Sequence, residues 1–289
     1  MRLYFLLHNP KLILIKKISN DDNYCSTYLA LDTTLNKCIF KISNNYLRYS
    51  KEKLLTQKLI LEKINCFYNI PTNKLIKWGY YKNNLWITTS FLNGNKISQS
   101  LLNNDLKHLF FKMLNNIHSI VLEGFGYITT KNDLIVGEYL NWNNFLLKKF
   151  QYNIQYLYKL IDLNIFKLIK KYFYTTLNMN IKIKKGVLLH NDIKSDNLIY
   201  NKKDNTLYII DWEEAIVGDK LAEYASILNK ISNGQLPEYF KKEEWCYNKI
   251  IKFYRLWFLI NEIGWLVRHY QNNEILIKKR VDMLLNLIF

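Results

Sequence analysis

The stretch His190-Asn191-Asp192-Ile193-Lys194-Ser195-Asp196-Asn197, answered by Ile209-Ile210-Asp211-Trp212-Glu213, decides how this chain is read. Polar residues crowd a short loop that follows the apolar run Gly186-Val187-Leu188-Leu189. Asn197-Leu198-Ile199-Tyr200 and Thr206-Leu207-Tyr208-Ile209-Ile210-Asp211 then read as a hairpin, with Asn201 to Asn205 as its turn. Asp192 and Asn197 lie five apart, and Asp211 closes the second strand. Phosphoryl transfer needs this set of parts. A carboxylate accepts the proton of the attacking hydroxyl, oxygen ligands hold Mg²⁺ on the nucleotide phosphates, and a lysine neutralises phosphate charge. Turn chemistry alone is the plainer reading of Asp and Asn here. Three such residues joined to His190 and an Asp-Trp-Glu speak against it.

Outward from this segment, the first 90 or so residues read as short strands and one helix. Leu12 to Ile15 is a strand. Ser26 to Leu31 and Lys37 to Ile42 form a hairpin around Asp32 to Asn36. Ser50 to Asn65 has apolar residues at Leu54, Leu55, Leu59, Leu61 and Ile64, a helical period with Ser50 as its N-cap. Strands follow around Lys74 to Trp78 and Leu85 to Thr89, and Asn93-Gly94-Asn95 breaks the chain. From about residue 98 the pattern is mainly helical, with long stretches over Leu101 to Leu122 and Asn141 to Leu177. The expected class is α+β: a β-rich lobe over 1–92, then a larger helical lobe over 93–289, with a cleft between two lobes as the natural ligand site.

Composition narrows the alternatives. A hydrophobic fraction of 49%, with 15% aromatics, excludes disorder. Lys plus Arg 41 against Asp plus Glu 24 leaves +17, yet Lys, Asn, Ile and Tyr are abundant throughout. That is the bias of an AT-rich genome and not one basic face, so no nucleic-acid partner is expected. Cys25, Cys38, Cys66 and Cys246 form no C-x-x-C pair, which argues against a zinc site or a disulfide scaffold. The apolar run at the start is too short for a signal peptide, and Ile250 to Tyr270 carries Lys252, Arg255, Glu262 and Arg268. These point to a core helix, no membrane span and a cytoplasmic protein.

H-x-D-x-x-x-x-N followed by I-D-W-E resembles the aminoglycoside phosphotransferase and choline kinase superfamily, which has the protein-kinase-like fold. Ile117-His118-Ser119-Ile120 with Gly124-Phe125-Gly126 looks like the helix end before the catalytic segment, and Phe91-Leu92-Asn93-Gly94 looks like the lobe hinge. Gly218-Asp219 through Glu223-Tyr224-Ala225 is similar to the family's G-D…D-L-A. The resemblance implies an ATP- and Mg²⁺-dependent kinase of a small-molecule hydroxyl, an amino sugar or choline-like alcohol. Asp192 would be the catalytic base, and Asn197 and Asp211 the Mg²⁺ ligands. His190 would brace the loop, and Lys194 would reach the transferred phosphate. Lys41, in Cys38-Ile39-Phe40-Lys41-Ile42, matches the lysine that pairs the phosphates, and Ser90, Phe91 and Leu92 would offer backbone groups to adenine.

Two departures stand out. The strand lysine normally pairs with a helix Glu, and the usual spacing of 16 from Lys41 lands on Gln57, with Glu52 and Glu62 as alternatives on the same helix. On that register Gln57→Glu is expected to tighten ATP binding. The nucleotide loop, Ser19 to Ser26, contains no glycine. Both features motivate a second reading, a degraded kinase fold that holds nucleotide or a partner. Lys194 motivates a third, a protein kinase, which the lack of D-F-G and A-P-E opposes. Lys41 and Lys194 also read as plain solvated lysines, and His118 as a packing histidine. Trp245, Tyr247, Tyr254, Trp257 and Trp265 read as core or as a cage for a quaternary ammonium. Glu213 and Glu214 are open between a cationic substrate, the metal shell and plain solvation.

Overall fold

Alternating burial along Lys37–Ser43 sets the frame of the N-terminal sheet, with Cys38 and Phe40 on one face and Ile39 and Lys41 on the other. The computed structural model describes residues 12–18, 25–44, 49–97, 104–178, 183–231, 249–270 and 273–289. It divides into two compact units, Met1–Asn116 with Ser195–Ala215, and Ile117–Lys194 with Ile216–Phe289.

In the first unit, β1 (Ile13–Lys17), β2 (Cys25–Leu31), β3 (Lys37–Ser43), β4 (Leu75–Tyr81) and β5 (Asn84–Ser90) form an antiparallel sheet. Their order is β1-β2-β3-β5-β4, so β3 is central. The β2–β3 turn is held by Asp32, whose carboxylate accepts from the N–H groups of Thr34 and Asn36 and from the Thr34 hydroxyl. Helix α1 (Ser50–Phe67) covers one face, where Leu54 packs with Cys25, Leu85 and Ile87. Ser50 is not its N-cap. Tyr49 precedes the helix in the left-handed region (φ 78) with no side-chain cap, and the Ser50 hydroxyl instead accepts from the N–H of Asn44 at 2.6 Å. That hydroxyl ties down the exit of β3 and is spent there.

A second, three-stranded sheet completes this unit: β6 (Asn95–Lys96), β11 (Leu198–Asn201) and β12 (Thr206–Ile209), in the order β12-β11-β6. Buried Trp212 donates through Nε1 to the Thr72 hydroxyl at 3.0 Å, and that hydroxyl donates to the carbonyl of Ile209. This pins the Asp-Trp-Glu segment to the chain before β4.

In the second unit, β7 (Val121–Leu122), β8 (Phe125–Lys131), β9 (Leu134–Tyr139), β10 (Gly186–Leu189) and β13 (Ile216–Gly218) form a sheet of order β7-β10-β13-β8-β9. Gly124 is at φ +73, and a Cβ there would stand 2.3 Å from the Gly137 carbonyl, so only glycine lets the β8–β9 hairpin close. Helix α2 (Asn104–His118) ends before β7, short of the expected Leu122. The expected helix over 141–177 is two, α3 (Trp142–Ile154) and α4 (Leu163–Asn178). Asn141 caps the first through the N–H of Asn144, and Asp162 accepts from the N–H groups of Asn164 and Ile165 at the start of the second. Helices α5 (Lys220–Ile231), α6 (Lys249–His269) and α7 (Glu274–Ile288) follow. Helix α6 is buried on most sides, as the charged residues in its apolar run led us to expect of a core helix. The architecture is α+β, β-rich in its N-terminal portion and mainly helical in its C-terminal portion. No described helix is long and apolar enough to cross a membrane.

Candidate active site

Strand alternation turns Lys41 toward α1. Its register partners are Thr27 on β2 and Ile87 on β5, so the side chain rises from the middle of the sheet. The ammonium donates to Gln57 Oε1 at 3.0 Å, Asp211 Oδ1 at 2.8 Å and Glu213 Oε1 at 2.8 Å. The spacing of 16 therefore finds the right helical residue. Glu62 instead pairs with Lys58. The carboxylate that the helix lacks comes from Glu213, two residues after Asp211. Burial acts to lower the Lys41 pKa, but the Asp211 and Glu213 carboxylates outweigh it and hold the ammonium well above its ordinary range. Glu213 is raised, first by burial and then by the Asp211 charge, against the pull of Lys41. Glu214 turns the other way and pairs with Lys53 of α1.

Asp211 is held at φ 72, a left-handed conformation that Asp tolerates better than most side chains. The N–H of Ile210 donates to the Asn197 carbonyl at 3.0 Å, so the two proposed metal ligands belong to neighbouring backbone segments. A buried amide and a carboxylate are hard oxygen donors suited to Mg²⁺. Among the described residues no group of three or more His, Cys, Asp or Glu forms a cage for a metal ion.

Of the three residues expected to meet adenine, Ser90 has its N–H and hydroxyl engaged. Its N–H donates to the Lys74 carbonyl at 2.8 Å, and its hydroxyl accepts from the Lys74 N–H at 2.9 Å. Phe91 and Leu92 follow the end of β5 and leave their backbone outside the sheet; the Lys37 ammonium lies 5.6 Å from the Phe91 ring. Of the glycine-free loop, residues 19–24 lie outside the described residues. Cys25 and Ser26 begin β2, and burial pushes the Cys25 thiol far up.

The loop after β10 belongs to the second unit. Asn191 sits at φ 64 between buried His190 and Asp192. Glu223 of α5 accepts from the N–H of His190 at 2.6 Å and of Asn191 at 2.8 Å. The Asp192 N–H donates to His190 Nδ1 at 3.3 Å, so His190 braces the loop as its place in the motif implied. Lys194 Nζ lies 2.8 Å from Asp192 Oδ2, and Lys230 Nζ lies 2.8 Å from Asp192 Oδ1. Burial would raise the Asp192 carboxyl, but Lys230 and Lys194 overcome it and hold the group far below its usual range. The His118 ring is buried, with Nε2 3.8 Å from Glu223. Burial acts to raise Glu223, and His118, His190 and the Asn191 N–H together hold it below the ordinary value.

Tyr254 and Trp257 are core: Trp142 Nε1 donates to the Tyr254 hydroxyl at 2.8 Å, and Trp257 Nε1 donates to the Leu146 carbonyl at 3.0 Å. Trp265 packs on His269 and Tyr270. Trp245 and Tyr247 lie outside the described residues. Sequence reasoning left Glu213 open and passed over Lys230. The available signal for Lys230 was its place seven residues after Glu223, on the same helical face.

The Lys41 cluster changes one expectation. With Asp211 and Glu213 already at the ammonium, Gln57→Glu adds a third carboxylate and is expected to leave Mg-ATP affinity unchanged or weaker. Glu213→Gln is expected to weaken it about tenfold, the loss of one charge-assisted hydrogen bond that anchors the lysine. Calorimetric titration with Mg-ATP measures both. Tighter binding by Gln57→Glu, together with full affinity in Glu213→Gln, would return the anchoring role to the helix.

Residues 172–246 match the model of the phosphotransferase enzyme family. A Mycoplasma capricolum subsp. capricolum protein named Protein LicA homolog is 29% identical over 167 residues, which is 57% of this chain and 68% of that protein. A thermostable mutant of the aminoglycoside phosphotransferase APH(4)-Ia, in its apo form, aligns with a TM-score of 0.75 at 13% identity over 96% of this chain and 94% of that one. A ternary complex of APH(4)-Ia with ADP and hygromycin B aligns at 0.74 with 13% identity, over 96% and 95%. The ADP-bound aminoglycoside phosphotransferase APH(2'')-Ib aligns at 0.63 with 16% identity, over 95% and 92%. Residues 172–246 thus match the phosphotransferase enzyme family model, and the chain has the protein-kinase-like fold seen in the aminoglycoside phosphotransferases, as the H-x-D-x-x-x-x-N segment implied.

Proposed function

We propose that this protein is an ATP- and Mg²⁺-dependent phosphotransferase that phosphorylates a hydroxyl of a small molecule, an amino sugar or a choline-like alcohol. The observation that carries the reading is the contact between Lys41 and Asp211, which joins the phosphate lysine to the metal aspartate across 170 residues of sequence. That part-buried cluster keeps its charges paired, which supports the catalytic reading over a degraded one. Glu213 also supplies the carboxylate whose apparent loss at Gln57 motivated the degraded reading.

In this reading residues 1–92 serve the nucleotide and 93–289 carry the catalytic loop and the acceptor site. Lys41 binds the phosphates, and Phe91 and Leu92, with Ser90 before them, offer backbone groups to adenine. Asn197 and Asp211 hold the metal, which when bound supplies charge neutralisation on the phosphates. Asp192 takes the proton of the acceptor hydroxyl as that oxygen bonds to the γ-phosphorus and the bond from that phosphorus to the β-phosphate oxygen breaks, releasing ADP. Lys194 leaves the carboxylate and follows the phosphoryl group. The free thiols of Cys25, Cys38 and Cys66 support a reducing, cytoplasmic setting.

The test is ADP production from Mg-ATP in a screen of aminoglycosides, choline, ethanolamine, homoserine-like alcohols and sugars. At least one alcohol is expected to raise ADP production well above the rate with water alone. No stimulation by any class, with Mg-ATP shown to bind, would favour a nucleotide-holding module over an enzyme.

A further inference from the structure

Helix α5 grips the catalytic loop at two points, and the second is a lysine that the reading so far leaves without a role. Glu223 and Lys230 are seven residues apart, two helical turns, and share one face of α5. Glu223 accepts from the Asn191 N–H, and Lys230 donates to the Asn191 carbonyl at 2.8 Å. Both polar ends of this left-handed residue are therefore tied to one helix. The same ammonium reaches Asp192 Oδ1 at 2.8 Å.

The two oxygens of Asp192 are held differently. Lys194 is on the loop itself, and its side chain is 44% exposed. Lys230 is on a helix, 25% exposed, and spans both the carboxylate and a backbone carbonyl. An acceptor hydroxyl must reach one of these oxygens, and the ammonium placed to yield is the more exposed one, Lys194.

We propose that Lys230 is a positioning residue for Asp192: it fixes Oδ1 and the Asn191 carbonyl, and so leaves Oδ2 as the oxygen that receives the acceptor proton. The proposal rests on Asp192 being the base, and its test reads the carboxylate directly. Among the described residues, the charged and titratable groups facing Asp192 include Lys194 on the loop, Lys230 on α5 and the His190 ring, whose Nδ1 accepts from the Asp192 N–H. Loss of Lys230 removes one cation, so the carboxyl must titrate at higher pH.

The experiment follows the ¹³C shift of the Asp192 carboxyl with pH in the full chain, in wild type, Lys230→Met, Lys230→Arg and Lys194→Met. Lys230→Met is expected to raise the midpoint by at least about one pH unit. Lys230→Arg is expected to restore it, because the guanidinium keeps the charge and can serve two acceptors. A purely structural role would lower Tm in Lys230→Met and leave kcat at its wild-type value, whether or not the midpoint moves. An unmoved midpoint overturns the proposal, as does one that moves in Lys194→Met alone. With the acceptor found by the screen, Lys230→Met is expected to lower kcat at unchanged KM for ATP. A shifted midpoint with undiminished kcat would leave only an ion pair and overturn the proposal, whereas failure of Asp192 as base shows as undiminished kcat in Asp192→Asn.

Discussion

Replacing Asp192 with asparagine is expected to lower kcat on the true acceptor by roughly 10²- to 10⁴-fold, the usual worth of a positioned general base. Asparagine keeps the shape of the side chain and one carbonyl oxygen that accepts from Lys230. It cannot take a proton from a hydroxyl. The two ammonium groups lose their shared counter-charge, but both are partly exposed, at 44% and 25%, so water compensates them. Tm and Mg-ATP affinity are therefore expected to stay near the wild-type values. Steady-state kinetics beside a thermal melt separate the outcomes. A variant that keeps more than about a tenth of wild-type kcat would end the assignment of Asp192 as base.

Asp211→Ala is expected to abolish the Mg²⁺ dependence of ATP binding and to weaken affinity by about 100-fold, the loss of two charge-assisted contacts. One is the metal-ligand oxygen, and the other is the 2.8 Å bond to Lys41. Because Asp211 sits at φ 72, alanine also meets backbone strain, and Asp211→Asn is the control that tolerates this conformation. Asparagine keeps an oxygen but not the charge, so it is expected to fall between wild type and alanine. Asn197→Ala is expected to cost less, about tenfold, since it removes a neutral ligand. Mg-ATP calorimetry at several Mg²⁺ concentrations reads all three. An Asp211→Ala variant whose affinity still rises with Mg²⁺ as in wild type would move the metal elsewhere.

Local signals in the sequence were enough for the strands around Lys41, for α1 and for the hairpin after the catalytic loop. Each has its own period and its own turn residues. Gln57 was reached because the family resemblance implies a spacing of 16 from the strand lysine. Glu213 as its charge partner was not legible, since 172 residues separate the two and no period connects them. Lys230 was hidden for the same reason: its target is a loop 38 residues away. The β8–β9 hairpin was missed because its turn is Asn132-Asp133, both at positive φ, and lacks the glycine that marks such turns most strongly. The break between α3 and α4 was missed because the apolar spacing continues across residues 155–162, which hold no proline or glycine.

The discontinuous first unit has a consequence for synthesis on the ribosome. Its sheet strands and α1 are complete once the chain has passed residue 90, but the carboxylates of Asp211 and Glu213 are made 170 and 172 residues after Lys41. At 5–20 residues per second that interval is on the order of ten to thirty seconds. During it Gln57, a neutral group, is the partner already made, and burying the ammonium without a counter-charge is unfavourable. The apolar interior of the nascent sheet can therefore close with this lysine still wet, and the ammonium meets its carboxylates only when the Asp-Trp-Glu segment emerges from the exit tunnel.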